Sequence, residues 1–157
     1  MDERISLFRH LLATLAYRAG KVLRDAPPAF AAFRVDATSR TPAEILAHMG
    51  DLFDWSLALA DGRHVWHDSQ PLEWDAEVTR FFRVLQAFDA RVTSGDPVQA
   101  PLERLIQGPV ADALTHVGQL AMLRRMSGAA MRGENYYVAQ VAAGTIGLAQ
   151  AAPVQEF

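Results

Sequence analysis

The 157-residue chain has no cysteine. That excludes a protein thiol as nucleophile, metal ligand or disulfide partner, and any sulfur chemistry must use a borrowed thiol. Long apolar runs are also missing: those at residues 11–15 and 57–60 fall far short of the roughly 20 needed to cross a bilayer. Charge of one sign is scarce as well. The formal net charge is −3, and the arginines are scattered along the chain, whereas a nucleic-acid surface calls for a concentrated basic stripe. The opening MDERISLFRH is acidic and amphipathic where a secretory leader has a basic end and an apolar block, so a cytoplasmic protein is expected. No GxSxG turn exposes a serine nucleophile, and GTIGLA lacks the strand and helix that give a phosphate-cradling loop its function.

What the chain has is apolar content: half of its residues are hydrophobic and 21% are charged. A chain of this composition and length buries most of its surface in a core without disulfide or structural metal, so one domain over residues 1–157 is expected. Ile5, Phe8, Leu12, Leu15 and Ala19 recur at three and four, predicting a helix over residues 5–22 that DAPPAF breaks. Thr41-Pro42-Ala43-Glu44 is a capping box with proline at the first helical position, opening a helix over 42–60 that Asp61-Gly62 ends. GRHVWHDSQP reads as a solvated loop. Trp74, Val78, Phe81, Phe82, Leu85, Phe88 and Val92 then give a third helix over 74–92. After a short turn at LERLI, Gly108-Pro109 predicts a fourth helix over 109–126, and the tail from residue 131 reads as irregular chain packed across the bundle. The fold class is therefore all-α, a four-helix bundle with an irregular C-terminal tail. Helices one and three carry more large apolar residues than one narrow stripe requires, which predicts a homodimer.

In bundles, sites are built from side chains that face one another across the core. His48 shares an arc with Leu52, Trp55 and Leu59, and the same spacing turns Asp51, Asp54 and Ala58 the other way. Asp112 and His116 are four apart and lie on one face of the last helix, with Gln119 a turn further on. Two imidazoles and a carboxylate suit a divalent transition metal held with open positions. Taken singly, each also has a bland reading: His48 as a satisfied core residue, Asp112 and His116 as a surface hydrogen-bonded pair. His64 and His67 form an HxxH beside Asp68, but Asp61-Gly62 and Pro71 frame a loop there, and His10 belongs to a surface. Ser56 lies two turns from His48 with no turn to expose it.

His48 in LAHMGDLFDW, the segment THVGQLAMLRRMSG and the following GENYYVA together resemble the DinB-like (YfiT-type) superfamily of metal-binding four-helix bundles, over nearly the whole chain. The resemblance implies a divalent metal held by three histidines, one on helix two and an HxxxH pair just before a GQ dipeptide. His48 matches the first and His116, ahead of Gly118-Gln119, the last; Asp112 stands where the remaining histidine is usual. A carboxylate there favours zinc, manganese or iron, with nickel also admissible. The family includes S-transferases and isomerases that use low-molecular-weight thiols, which implies a small-molecule substrate and a thiol cosubstrate. The residues leave two readings open: a metal-dependent thiol S-transferase or hydrolase, with Gln119 orienting a ligand and Glu134, Asn135 or Tyr136 closing the pocket, or a non-catalytic dimeric binding or stress-response scaffold with a degenerate site.

Overall fold

The first two long helices begin where a side chain satisfies backbone N–H groups that have no partner inside the helix, whereas the third and the last start without a side-chain cap. Asp2 accepts from the Arg4 N–H at 2.9 Å and starts α1 (Glu3–Leu23). Thr41 and Glu44 exchange both bonds of the capping box at 2.7 and 3.2 Å and start α2 (Pro42–Ala60). The buried Glu77 accepts the Leu72 N–H at 2.8 Å, just ahead of α3 (Trp74–Val92). The computed structural model describes residues 2–157 and is all-helical among them apart from one isolated bridge, Glu134 with Glu156. A 3₁₀ turn (Pro28–Ala32) lies in the α1–α2 connection, and α4 (Leu102–Leu105) leads into α5 (Ala111–Met126).

The last helix does not begin at Pro109, as the sequence suggests. It runs on from Leu102 through a π-turn (Ile106–Val110) in which Gly108 leaves helical angles at φ −91°, ψ −105°. Proline has no N–H to return to the carbonyl four residues back, and its ring strikes that carbonyl, so the chain widens by one residue instead of stopping. Asp112 thereby falls in the first turn of α5.

Phe53 of α2 sits at the centre of the core, its ring 6.1 Å from Phe81 and 5.9 Å from Phe88, with Phe8 of α1 edge-on to Phe88. Helix α2 packs on α3 along one flank and on α5 along another. The expectation that Asp51 and Ala58 face away from the protein is therefore wrong: both are buried. For Asp51 the reason is Arg80 of α3, whose guanidinium donates to Asp51, to Asp54 and Glu77 at 3.0 Å, and to the Ala47 carbonyl at 3.2 Å. Burial works against that charge, but the bonds to Asp51, Glu77 and Asp54 outweigh it and hold its pKa above the ordinary arginine value. Gly50 makes room, since a Cβ there would lie 2.8 Å from Arg80 Nη1.

The tail is irregular, as expected, but firmly held. Gly133 and Phe157 exchange backbone bonds at 3.1 Å, and Asn135 donates to Gln155 at 3.0 Å. This pairing presses the fully buried Glu134 carboxylate onto α1, where it accepts from Tyr17 Oη at 2.6 Å and Lys21 Nζ at 2.8 Å. Lys21 reaches Glu156 as well, at 2.8 Å. Glu134→Gln leaves Lys21 with a diminished counter-charge and should destabilise the protein by about 3 kcal/mol in urea unfolding.

Burial, then the bond to Glu134, pushes the Tyr17 phenol far above the usual tyrosine range. The bonds to Glu134 and Glu156 outweigh burial and raise Lys21. Both folded-state values are raised, so this stabilisation is complete below the ordinary values of 10.0 and 10.5 and is lost as pH climbs beyond them. Stability of the wild type should accordingly hold from pH 7 to 9 and fall above about 10.5. Tyr17 should be the last tyrosine to ionise in a 295 nm absorbance titration. A stability profile flat to pH 12 would contradict this role for the Tyr17–Lys21–Glu134 cluster.

Candidate metal centre

Helix α2 contributes His48 and the first two turns of α5 contribute Asp112 and His116; the structure brings all three together. His48 Nε2 lies 3.2 Å from Asp112 Oδ2, His116 Nε2 lies 3.3 Å from Asp112 Oδ1, and the two imidazole rings are 4.9 Å apart and nearly perpendicular. One ligand atom from each residue falls within 4.8 Å of the others, and no other group of three His, Cys, Asp or Glu does so among the described residues. Two donors on one tetrahedral metal are about 3.3 Å apart, so these spacings need little adjustment to take an ion.

The hydrogen bonding supports that fit. His116 Nδ1 lies 2.7 Å from Gln119 Oε1, which can only accept, so Nδ1 carries the proton of that bond. In a neutral imidazole this leaves Nε2 without a proton, 3.3 Å from a carboxylate oxygen. Two acceptors at 3.3 Å repel, and a cation bound to both turns the contact attractive. Orientation of a metal-binding histidine through its other nitrogen is the usual way a tautomer is fixed for coordination. The His116 side chain is 11% exposed and the Asp112 side chain 45%, so the cluster is floored by protein and open on the carboxylate side.

The walls were only partly readable beforehand. Trp66, in the loop between α2 and α3, lays its ring 5.6 Å from His48 and 5.7 Å from Trp55, and donates from Nε1 to Asp68 at 3.0 Å. Ser69 pins that loop with two bonds to Asp51, at 2.7 and 2.8 Å. A tryptophan within a polar loop was the available signal for this wall. The loop is exposed, as expected; His64 rests against Trp55 at 5.4 Å, and neither it nor His67 joins the metal group. His10 is exposed on α1. Ser56 is buried and donates to the Leu52 carbonyl at 2.8 Å, a helix back-bond that leaves no nucleophile.

The tail does not close the pocket, contrary to the expectation for Glu134, Asn135 and Tyr136. Glu134 is committed to Tyr17 and Lys21, Asn135 bonds Gln155 at 3.2 Å, and Tyr136 lies under the Arg18 guanidinium at 4.1 Å. Arg124 directs the chain there: at the end of α5 it donates to the carbonyls of Val22, Arg24 and Ala129 at 2.8–2.9 Å, holding residues 127–135 over α1 and away from His116. Two cavities flank the cluster instead. One, of about 330 Å³ on the His48 side, is walled by Arg34, Glu44, Asp51 and Asp68. The other, of about 470 Å³ on the His116 side, is walled by Ile45, Gln119, Met122 and Leu123. Ser39 and Arg40 border both.

No family model matches the chain, and no curated protein or solved structure matches it.

Titration calorimetry of protein freed of metal should show one divalent ion bound per chain. Binding should vanish in His48→Ala and His116→Ala and weaken in Asp112→Asn; Gln119→Ala should weaken it about tenfold by releasing the His116 ring. An ion present at about a hundred times its dissociation constant should add about 2.7 kcal/mol of stability, a gain that shrinks as pH falls because protons compete for the imidazoles. Identical melting temperatures with and without Zn²⁺, Mn²⁺, Ni²⁺ and Fe²⁺ would remove the site.

Proposed function

We propose that this chain is a divalent-metal-dependent enzyme of the DinB-like class, acting on a small-molecule substrate as a thiol-dependent S-transferase or a hydrolase. The observation that carries the proposal is the Asp112 carboxylate set between two imidazole nitrogens, with the second imidazole held by Gln119. An all-helical bundle with the cluster between its second and last long helices agrees with it. A bound divalent ion would supply Lewis acidity that lowers the pKa of a thiol or water sharing the site.

The chain's own residues do the rest. Asp112 offsets part of the added charge and leaves its open side to an incoming ligand. Trp66, itself packed on Trp55, stands edge-on to His48 and fixes one side of its ring. Gln119 keeps the His116 proton on Nδ1. Having no cysteine of its own, the chain would take its thiol from solution. The proposal extends to a cytoplasmic homodimer. No helix is long and apolar enough to cross a membrane among the described residues, and Leu7 and Ile106 border a largely apolar groove of about 410 Å³ between α1 and α4. One observation favours the scaffold alternative: His48 Nε2 lies at hydrogen-bond distance from Asp112 Oδ2, 3.2 Å, a contact that a proton on that imidazole would satisfy with no metal.

A turnover assay separates the two. Protein loaded with Zn²⁺ or Mn²⁺ is mixed with a low-molecular-weight thiol and 1-chloro-2,4-dinitrobenzene, or with p-nitrophenyl acetate for hydrolysis. The expected result is a rate that requires metal and falls at least a hundredfold in His116→Ala, the scale of losing a group that positions the reacting atoms. A rate unchanged by chelation and by His116→Ala would favour the scaffold.

A further inference from the structure

The two cavities beside the metal cluster differ in chemistry. The His48-side cavity is walled by three carboxylates, Glu44, Asp51 and Asp68, and by two arginines. Arg34 there is spent on Glu44 and the Ser39 carbonyl. The His116-side cavity has no carboxylate in its wall. Its floor is apolar, from the buried Ile45 and Leu123 and the half-exposed Met122, and the one charged side chain that borders it is Arg40. The Arg40 side chain makes no hydrogen bond or ion pair among the described residues, which it shares with those of Arg83 and Arg104, but it alone of these three borders this basin. A guanidinium with all its donors unused, at the edge of an apolar basin that ends on His116, is complementary to a ligand with an apolar body and a single negative charge. A polyanion would find one partner only.

From this contrast we infer that the His116-side basin binds an apolar organic monoanion of the carboxylate class, its hydrocarbon over Met122, Leu123 and Ile45 and its carboxylate on Arg40. As the seat of the substrate this basin depends on the metal-dependent reading above; as a binding site it does not, because neither its floor nor Arg40 is a metal ligand. Arg40 is then a specificity-determining residue, selecting by charge what reaches the cluster.

The test uses the full chain with methyl-¹³C methionine, in which Met122 among the five methionines is assigned from Met122→Leu. Phenylacetate and its neutral isostere phenylacetamide are titrated at low salt, with and without Zn²⁺, into wild type, Arg40→Gln and Arg40→Lys. Both ligands should move the Met122 methyl. Phenylacetate should bind about three- to fivefold more tightly than the amide, the scale of an ion pair at an exposed arginine. The preference should disappear in Arg40→Gln, persist in part in Arg40→Lys and shrink with added salt. Equal affinities in the wild type, a preference surviving Arg40→Gln, or a Met122 methyl that phenylacetate does not move would each overturn the assignment. The imidazole signals of His48 and His116 in the Zn²⁺ arm report the metal reading separately. If they stay unmoved while the Arg40-dependent preference stands, the metal reading fails and the anion site remains.

Discussion

The rotation of α2 about its own axis is set by the Arg80 guanidinium, and the metal centre depends on that rotation. Arg80 reaches across from α3 to Asp51, Asp54 and the Ala47 carbonyl, and Gly50 leaves the space it occupies. Asp51 and His48 are three residues apart and so project about 60° from each other around the helix. Fixing Asp51 against α3 therefore turns His48 toward α5. A purely apolar contact between α2 and α3 would permit small rotations at little loss, because dispersion and burial are nearly non-directional; an ion cluster with fixed donor directions does not. The same carboxylate, through Ser69, also ties down the loop that brings Trp66 over His48. One buried charge group thus orients a ligand and anchors the wall above it.

How much of this was legible beforehand follows from the range of each interaction along the chain. The Thr41–Glu44 box and the i, i+4 pair of Asp112 and His116 are local, and a local pattern can be read directly. His48 was legible because its inward arc had no other purpose than packing or ligation. Arg80 was not, since its partners lie 26 and 29 residues away on another helix and an arginine on a periodic helix reads as surface. Asp51 failed for the same reason, its burial being intelligible only once Arg80 is in place. Glu134 reads as a pocket residue in the sequence because the chain path after α5 is decided by Arg124 gripping carbonyls 100 and 102 positions earlier. The π-turn at Pro109 was misread as a helix start because proline signals both, and the two differ only in whether the preceding turn finds packing partners.

The chemistry of the site follows from a local surplus of lone pairs. Asp112 presents one oxygen to each imidazole, and Gln119 draws the His116 proton to the far nitrogen, so the near side of the cluster calls for positive charge. A proton meets that demand with one bond; a divalent metal meets it with three and leaves room for a reacting group. The two flanking cavities are unequal in charge and polarity, which gives the centre two distinct directions of approach.

The occupant of the cluster is decided most directly by long-range ¹H–¹⁵N NMR of the five histidines before and after one equivalent of Zn²⁺. The arrangement of Asp112 and Gln119 predicts that Nε2 of His48 and of His116 both shift to the metal-bound range while His116 Nδ1 keeps its proton. His10, His64 and His67 should stay where they are. Shifts confined to His64 and His67, or no stoichiometric change at any ring, would contradict a metal centre at His48, Asp112 and His116.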